Sequence, residues 1–580
     1  MAEPSGLSRR EMLAAISTLG AAAALGLPER VAGAVPPAAP ITHTVRRAAT
    51  AKPHGSDLGA VEHIVFLMME NRSYDHYFGA YPKGRGFDDH PQHSLGAFAQ
   101  AYPQGRALSP RNTLLPFHLN ANAGDECTHD LTHAWAPQHL CWNNGRMDRF
   151  VRTHTSADYE GDPDGAMTMG YYTRRDIPFY WSVADSFTLG DAYHCSILGP
   201  THPNRLMANT GTIDPAGTQG GPITASTDSP NALWTCSWTT VQELLEDAGV
   251  SWKVYHPSDS GPVGARYENF GVWDSRLYDP AQNQLVLAVG DHILPYFKQY
   301  QDPTTTLHQK AFLPSYPDEL IADIQAGTLP SVSWIIPPIG WDEHPSSSPD
   351  RGMHVTQLVL GALMSDEDTW SKTALILTYD ENDGWFDHVP PPTPPDNTTG
   401  EYLTASSIPA NLLGIRGPLG LGVRVPLLVM SPFSRGGHVV TKVLDHTSQL
   451  RLLEDRFGIR VDNISDWRRA TTGSLADALF LGLPDNSMPA LASVPEPEVI
   501  DSGSCSEINQ DSETGGVPPS IPTRQRMPTQ RGTTVPASRY LPEARTTRDR
   551  VPARSGRSTA TMKSKANALA HGDRAALTTE

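Results

Sequence analysis

Six residues, far apart in the chain, carry the chemistry: Glu70, Asn71, Thr201, His344, Asp380 and Glu381, with His133 and His388 as further candidates. Glu70 and Asn71 end the apolar run 64–69, and Asp380 and Glu381 end a second run, 373–379. Carboxylate and amide oxygens suit hard divalent cations, and zinc also accepts carboxylates. Two buried strands that release such ligands at their carboxyl ends can build one metal site, where open α/β sheets bind ligands. Thr201 lies in Gly199-Pro200-Thr201-His202-Pro203-Asn204-Arg205, a setting that holds a hydroxyl on a rigid turn. The same residues also read as a plain helix cap, with Thr at the N-cap and Pro following. The two readings are compatible, because a helix amino terminus stabilises an anion. A hydroxyl beside a cation suits phosphoryl transfer through a covalent intermediate. The metal lowers the hydroxyl pKa and neutralises charge on a phosphate oxygen. Histidines can hold the other oxygens and protonate the leaving alkoxide.

The elements that must position these groups are legible as an alternation. Strands are expected at 61–69, 187–189, 250–255, 331–336, 373–379 and 423–430. Helices are expected at 177–186, 316–326, 356–364 and 447–457, and one begins at the capping box Thr240-Val241-Gln242-Glu243 and ends near Gly249. Strands separated by helices imply an α/β fold with a largely parallel central sheet flanked by helices. Polar clusters fall beyond strand ends, as in Trp341-Asp342-Glu343-His344-Pro345. Another cluster gathers His129, Asp130, His133, Trp135, His139, Trp142 and Asp148, and points to a cleft.

The formal net charge of −18 over 580 residues argues against a nucleic-acid partner and against simple adsorption to anionic membranes. The five cysteines, Cys127, Cys141, Cys195, Cys236 and Cys505, are too scattered for a zinc cluster; one or two disulfides are possible and an odd thiol would remain. Residues 1–34 carry Ser8-Arg9-Arg10-Glu11-Met12-Leu13, an Ala-rich apolar run and Ala32-Gly33-Ala34, a pattern that resembles a twin-arginine signal peptide. The expected partner there is the twin-arginine export machinery, and the expected destination is secreted or cell-wall associated. Residues 35–59 read as a linker and 60–487 as the catalytic domain. Residues 488–580 lose apolar periodicity and read as a low-complexity, disordered tail.

Four ordered blocks resemble the bacterial phosphoesterase family of phospholipases C and acid phosphatases, within the alkaline-phosphatase-like superfamily. They are Met69-Glu70-Asn71-Arg72-Ser73-Tyr74-Asp75-His76-Tyr77-Phe78-Gly79, Thr201-His202-Pro203-Asn204-Arg205, Glu343-His344-Pro345, and Tyr379-Asp380-Glu381-Asn382-Asp383-Gly384-Trp385-Phe386-Asp387-His388-Val389-Pro390-Pro391. Thr168-Met169-Gly170-Tyr171-Tyr172-Thr173, Arg416-Gly417-Pro418-Leu419-Gly420 and Asp445-His446-Thr447-Ser448 bring it nearest to secreted actinobacterial phospholipases C. The resemblance implies that Glu70, Asn71, Asp380 and Glu381 bind a divalent metal, calcium or zinc foremost. It implies Thr201 as nucleophile and metal neighbour, and His133 and His344 as phosphate contacts. His388 lies in the motif at greater remove, and Asp383 stands where the family commonly has Gly. His202 is assigned no role.

The activity so implied is hydrolysis of phosphatidylcholine to diacylglycerol and phosphocholine through a phospho-threonine, with peripheral membrane contact. Choline could rest on an aromatic face, with Trp181, Tyr171, Tyr172, Trp385 and Phe386 as candidates, although packing in the core explains each of them as well. Two alternatives use the same chain differently. One is a broad acid phosphatase acting on monoesters; the other is a non-catalytic lipid- or surface-binding protein that keeps the fold.

Overall fold

The computed structural model describes residues 51–481 and 521–536, apart from 93, 103–112, 122–124, 127, 129, 156–164, 227–233, 258–276, 280–283, 287–290, 338–340, 346 and 523. The signal-like segment, most of the linker, and Cys127, His129 and Cys505 lie outside the described residues. At the centre is an eight-stranded sheet. Its strands are β1 (His63–Met69), β2 (Thr188–Gly190), β3 (Trp252–Pro257), β4 (Ser315–Tyr316), β5 (Val332–Ile335), β6 (Thr373–Tyr379), β7 (Leu427–Met430) and β8 (His438–Val440). The spatial order is β4-β3-β5-β1-β6-β7-β2-β8. Every pairing is parallel except the two made by β7, which runs against β6 and β2.

The apolar runs take the middle positions because both their faces are covered. All seven residues of β6 are buried, and so are five of the seven in β1. Helices occupy the connections, among them α1 (Tyr74–Phe78), α2 (Trp135–Trp142), α3 (Pro178–Ser186), α4 (Thr201–Thr210), α5 (Val241–Asp247), α6 (Asp318–Ala326), α7 (Pro349–Met364) and α8 (Thr447–Phe457). The capping box at Thr240 forms as the sequence suggests, with Glu243 reaching back to the cap. β1 pairs with β6 over its whole length, from His63 opposite Thr373 to Met69 opposite Tyr379. This register decides where the chemistry goes. Glu70 and Asp380 leave adjacent strands at the same level, and the Asp380 N–H donates to the Met69 carbonyl at 3.0 Å.

Three expectations need correction. The strand expected over 423–430 starts at Leu427, because Val423 and Val425 bond instead to Cys195 and Tyr193 in an irregular crossing. Thr201 does not cap its helix; Pro200 occupies the cap and Thr201 is the first helical residue. Within the supposed disordered tail, residues 526–528 and 534–536 form an antiparallel hairpin. Met527 is fully buried there, and Gln530 donates to the carbonyls of Tyr81 at 2.8 Å and Gly84 at 3.0 Å. A compositional signal cannot detect two buried side chains in a polar stretch. Cys141, Cys195 and Cys236 are buried free thiols.

Candidate active site

At the carboxyl ends of β1 and β6 the buried polar groups converge. Glu70, Asn71, Asp380 and Glu381 are each buried. The backbone N–H groups of Asn71 and Glu381 both donate to Asp380 Oδ1, at 3.2 and 2.7 Å. Asn71 has φ 61°, a left-handed conformation that Asn tolerates and that turns the chain sharply after the strand. Neither polar atom of its amide finds a hydrogen-bond partner among the described residues, and Glu381 Oε1 is in the same position. Buried polar atoms are seldom left without a partner, whether a protein group, water or an ion.

Two further acids join the group. Asp291 lies 3.6 Å from Arg205, and the Asp342 carbonyl accepts the Glu70 N–H at 2.8 Å. Burial, and then their mutual repulsion, hold these acids above the ordinary carboxylate range. Asp342 is pushed up to about 8 and Asp380 to about 7, with Glu70 the next cause in both. Burial raises Glu70 itself well above normal, with Asp291 next. Arg205 is the counter-charge, 2.7 Å from Glu70 Oε1 and 3.2 Å from Asp380 Oδ2. One guanidinium cannot balance Glu70, Asp291, Asp342, Asp380 and Glu381 together. The orphaned oxygens and the surplus of negative charge fit a divalent cation held by Glu70, Asn71, Asp380 and Glu381.

Arg205 also locates Thr201. The two residues are four apart on α4, so they share a face and stand one turn from each other. Asn204 secures the start of the helix by accepting from the Ile197 N–H at 2.8 Å and donating to the Gly199 carbonyl at 2.9 Å. The Thr201 hydroxyl thus sits at a helix amino terminus, one turn from the side chain that grips Glu70 and Asp380.

The histidines divide. His133 and His344 come together, with ring centroids 6.2 Å apart. His133 Nδ1 faces the Leu131 carbonyl at 2.8 Å, Asp383 Oδ1 at 3.0 Å and Asp130 Oδ1 at 3.4 Å. Its Nε2 lies 3.9 Å from Glu381 Oε1. Burial alone would depress His133, but Glu381, Asp130 and Asp383 outweigh it and raise it well above normal. Burial pushes His344 down to about 4, so that ring is neutral. Glu343 anchors the turn that carries His344. Its carboxylate receives the hydroxyls of Tyr77, Tyr180 and Tyr379, and a side chain at Gly352 would collide with it.

His388 goes elsewhere. It pairs with Asp75 at 2.6 Å, in a group with Asp387 and Arg424, and stacks on Phe98. None of these partners belongs to the cluster around Glu70, so His388 is a support residue rather than a member of the site. The expected aromatic faces are also spoken for. Trp181, Tyr171, Tyr172, Trp385 and Phe386 are all buried, and Trp385 stacks on His76 at 3.8 Å.

Sequence pattern alone missed Arg205, Asp291, Asp342 and His446 as parts of the site. Helical spacing from Thr201 could have pointed to Arg205. His446 Nε2 lies 2.6 Å from the Asp380 carbonyl, and its place at the start of α8 gives no hint of that. Asp291 has no motif around it.

The phosphoesterase family model matches residues 61–460, and the chain belongs to that family. It is a phosphoric ester hydrolase. Among its relatives, phospholipase C A of Mycobacterium tuberculosis (strain ATCC 25618 / H37Rv) is 40% identical over 549 residues, which cover 91% of this chain and 97% of the relative. Non-hemolytic phospholipase C of Burkholderia pseudomallei (strain K96243) is 41% identical over 449 residues, covering 74% of this chain and 60% of the relative. Non-specific phospholipase C5 of Arabidopsis thaliana is 23% identical over 404 residues, covering 67% and 66%.

Proposed function

We propose that the chain is an exported phospholipase C that hydrolyses phosphatidylcholine to diacylglycerol and phosphocholine. The observation that carries this reading is the convergence of Glu70, Asn71, Asp380 and Glu381 beside the helix that begins at Thr201. Identities of 37–41% to relatives named phospholipase C support the choice of a lipid phosphodiester. A divalent cation on the four oxygen donors, calcium or zinc, would neutralise phosphate charge and favour the ionised Thr201 hydroxyl.

The protein's own groups then do the following. Thr201 Oγ1, ionised with its proton lost to solvent, attacks phosphorus in line, forming the Oγ1–P bond as the bond from phosphorus to the glycerol oxygen breaks. His133 Nε2 gives a proton to that departing alkoxide, and neutral His344 donates a hydrogen bond to a phosphate oxygen. The amino terminus of α4 stabilises charge on the phosphorylated threonine. Water next attacks phosphorus, its proton returns to His133, and the Oγ1–P bond breaks to release phosphocholine. Buried Arg205 holds Glu70 and Asp380 in place throughout.

The test is turnover by the purified protein on phosphatidylcholine vesicles and on simple monoesters. Phosphatidylcholine is expected to be the better substrate, and Thr201→Ala to lose at least about a thousandfold in kcat with its melting temperature kept. A faster rate on monoesters would make it an acid phosphatase. Full activity in Thr201→Ala would remove the proposed nucleophile, and no activity of the wild type on any ester would favour a binding protein.

A further inference from the structure

We propose that Asp383 is a positioning residue: its side chain fixes the His133 ring so that Nε2, rather than Nδ1, faces the ester being cleaved. The inference rests on the reading of His133 as the leaving-group acid and names what prepares it. Three atoms of Asp383 are committed. Its N–H donates to Glu381 Oε2, its carbonyl accepts from Gln138 Nε2 at 2.6 Å, and its Oδ1 faces His133 Nδ1 at 3.0 Å. The residue therefore ties a proposed metal ligand to the imidazole opposite it. Its φ of 55° is a backbone state that Gly adopts freely and Asp adopts at some cost. The chain accepts that strain, together with a buried carboxylate whose Oδ2 has no hydrogen-bond partner among the described residues. Strain and a half-satisfied buried acid make little sense as a stability device. They make sense if the side chain orients a ring.

The Leu131 carbonyl and, at 3.4 Å, Asp130 Oδ1 also meet Nδ1, but they lie two and three residues from His133 on its own segment and move with it. Asp383 approaches from the separate loop after β6, and so fixes the ring against the site rather than against its own segment. With Nδ1 engaged there, only Nε2 is left to exchange a proton with substrate. An alkoxide leaving group needs that proton, whereas p-nitrophenolate departs without it.

Leaving-group dependence in the metal-loaded enzyme therefore gives the test. Phosphatidylcholine and p-nitrophenyl phosphorylcholine form the substrate pair, with Asp383→Gly and Asp383→Asn as variants. Both substituents accept a positive φ, so the fold is retained and thermal unfolding checks it. Asp383→Gly is expected to lose about 10–100-fold in kcat on phosphatidylcholine and less than about threefold on the aryl ester, as part of the ~10²–10⁴ a general acid contributes. Asp383→Asn keeps an oxygen for Nδ1 and is expected to recover to within about threefold of wild type. Equal losses on both esters, no loss on phosphatidylcholine, or an Asn variant no better than Gly would overturn the proposal. If the wild type prefers monoesters, glycerol phosphate and p-nitrophenyl phosphate make the same comparison, and only the phospholipase reading fails. A wild type that cleaves no ester overturns both.

Discussion

At the residue scale, protons and the proposed metal would compete for the same oxygens. Without a cation, Glu70, Asp342, Asp380 and Glu381 are raised by burial and by one another, so the folded chain holds protons that the unfolded chain releases. Such groups contribute stability below the unfolded carboxylate value of about 4 and lose it as pH rises to about 8, where Asp342 titrates. Neutral buried histidines act in the opposite sense. His202 is pushed down to about 3 and His344 to about 4, so stability gained from them with rising pH is complete by about 6.5. Between about pH 6.5 and 8 the raised carboxylates and the raised His133 act in the same direction, each losing its contribution as pH rises. The melting temperature of chelated protein is expected to fall across that window, and saturating divalent cation to abolish most of the fall. A melting temperature that rises with pH in the chelated protein would contradict the cluster described here. The second acidic group, Asp75 and Asp387 with His388, differs because Arg424 already lies 3.1 Å from Asp75 and 3.0 Å from Asp387. Its charge is balanced internally, which makes it a poor cation site.

At the scale of elements, the register between β1 and β6 puts the two proposed ligand pairs side by side, and a slip by one residue would reverse every side chain. The C-terminal hairpin acts on the next segment. Gln530 binds the turn that follows α1, accepting the Asp88 N–H at 3.2 Å as well as donating to Tyr81 and Gly84. Gln530→Ala leaves those carbonyls without their donor and is expected to destabilise the fold by about 1–3 kcal/mol. Denaturant titration measures this, and kcat should stay unchanged; an unaltered midpoint would mean that the hairpin rests on the surface without holding it. The elements differ in how plainly the sequence announces them. Continuous apolar runs announced β1 and β6, and the Thr240 capping box and the Gly249 stop framed α5. The reversed direction of β7 was invisible, because alternation and burial look alike in a strand and its reverse. The convergence of the proposed ligands Glu70, Asn71, Asp380 and Glu381 was legible since each pair follows a strand end. Arg205 and Asp291 were not, because they enter the site through tertiary packing and follow no periodic pattern.

For the whole molecule, the net charge of −18 and the absence, among the described residues, of a helix long and apolar enough to cross a membrane bear on how it would meet lipid. Contact with phosphatidylcholine, a neutral headgroup, asks for no basic surface. The amino-terminal Arg9-Arg10 pair leads to a separate expectation. Replacing both residues with Lys should leave the protein inside the cell, measured by fractionation; undiminished export would exclude the twin-arginine route. The central claim, however, is that strands far apart in sequence deliver four oxygen donors to one cation. Anomalous scattering from crystals grown with a divalent metal tests it most directly. The expected result is a single ion about 2.0–2.6 Å from Glu70, Asn71, Asp380 and Glu381, beside Thr201. An ion among Asp75, Asp387 and His388 instead, or none near Glu70 at saturating metal, would contradict it.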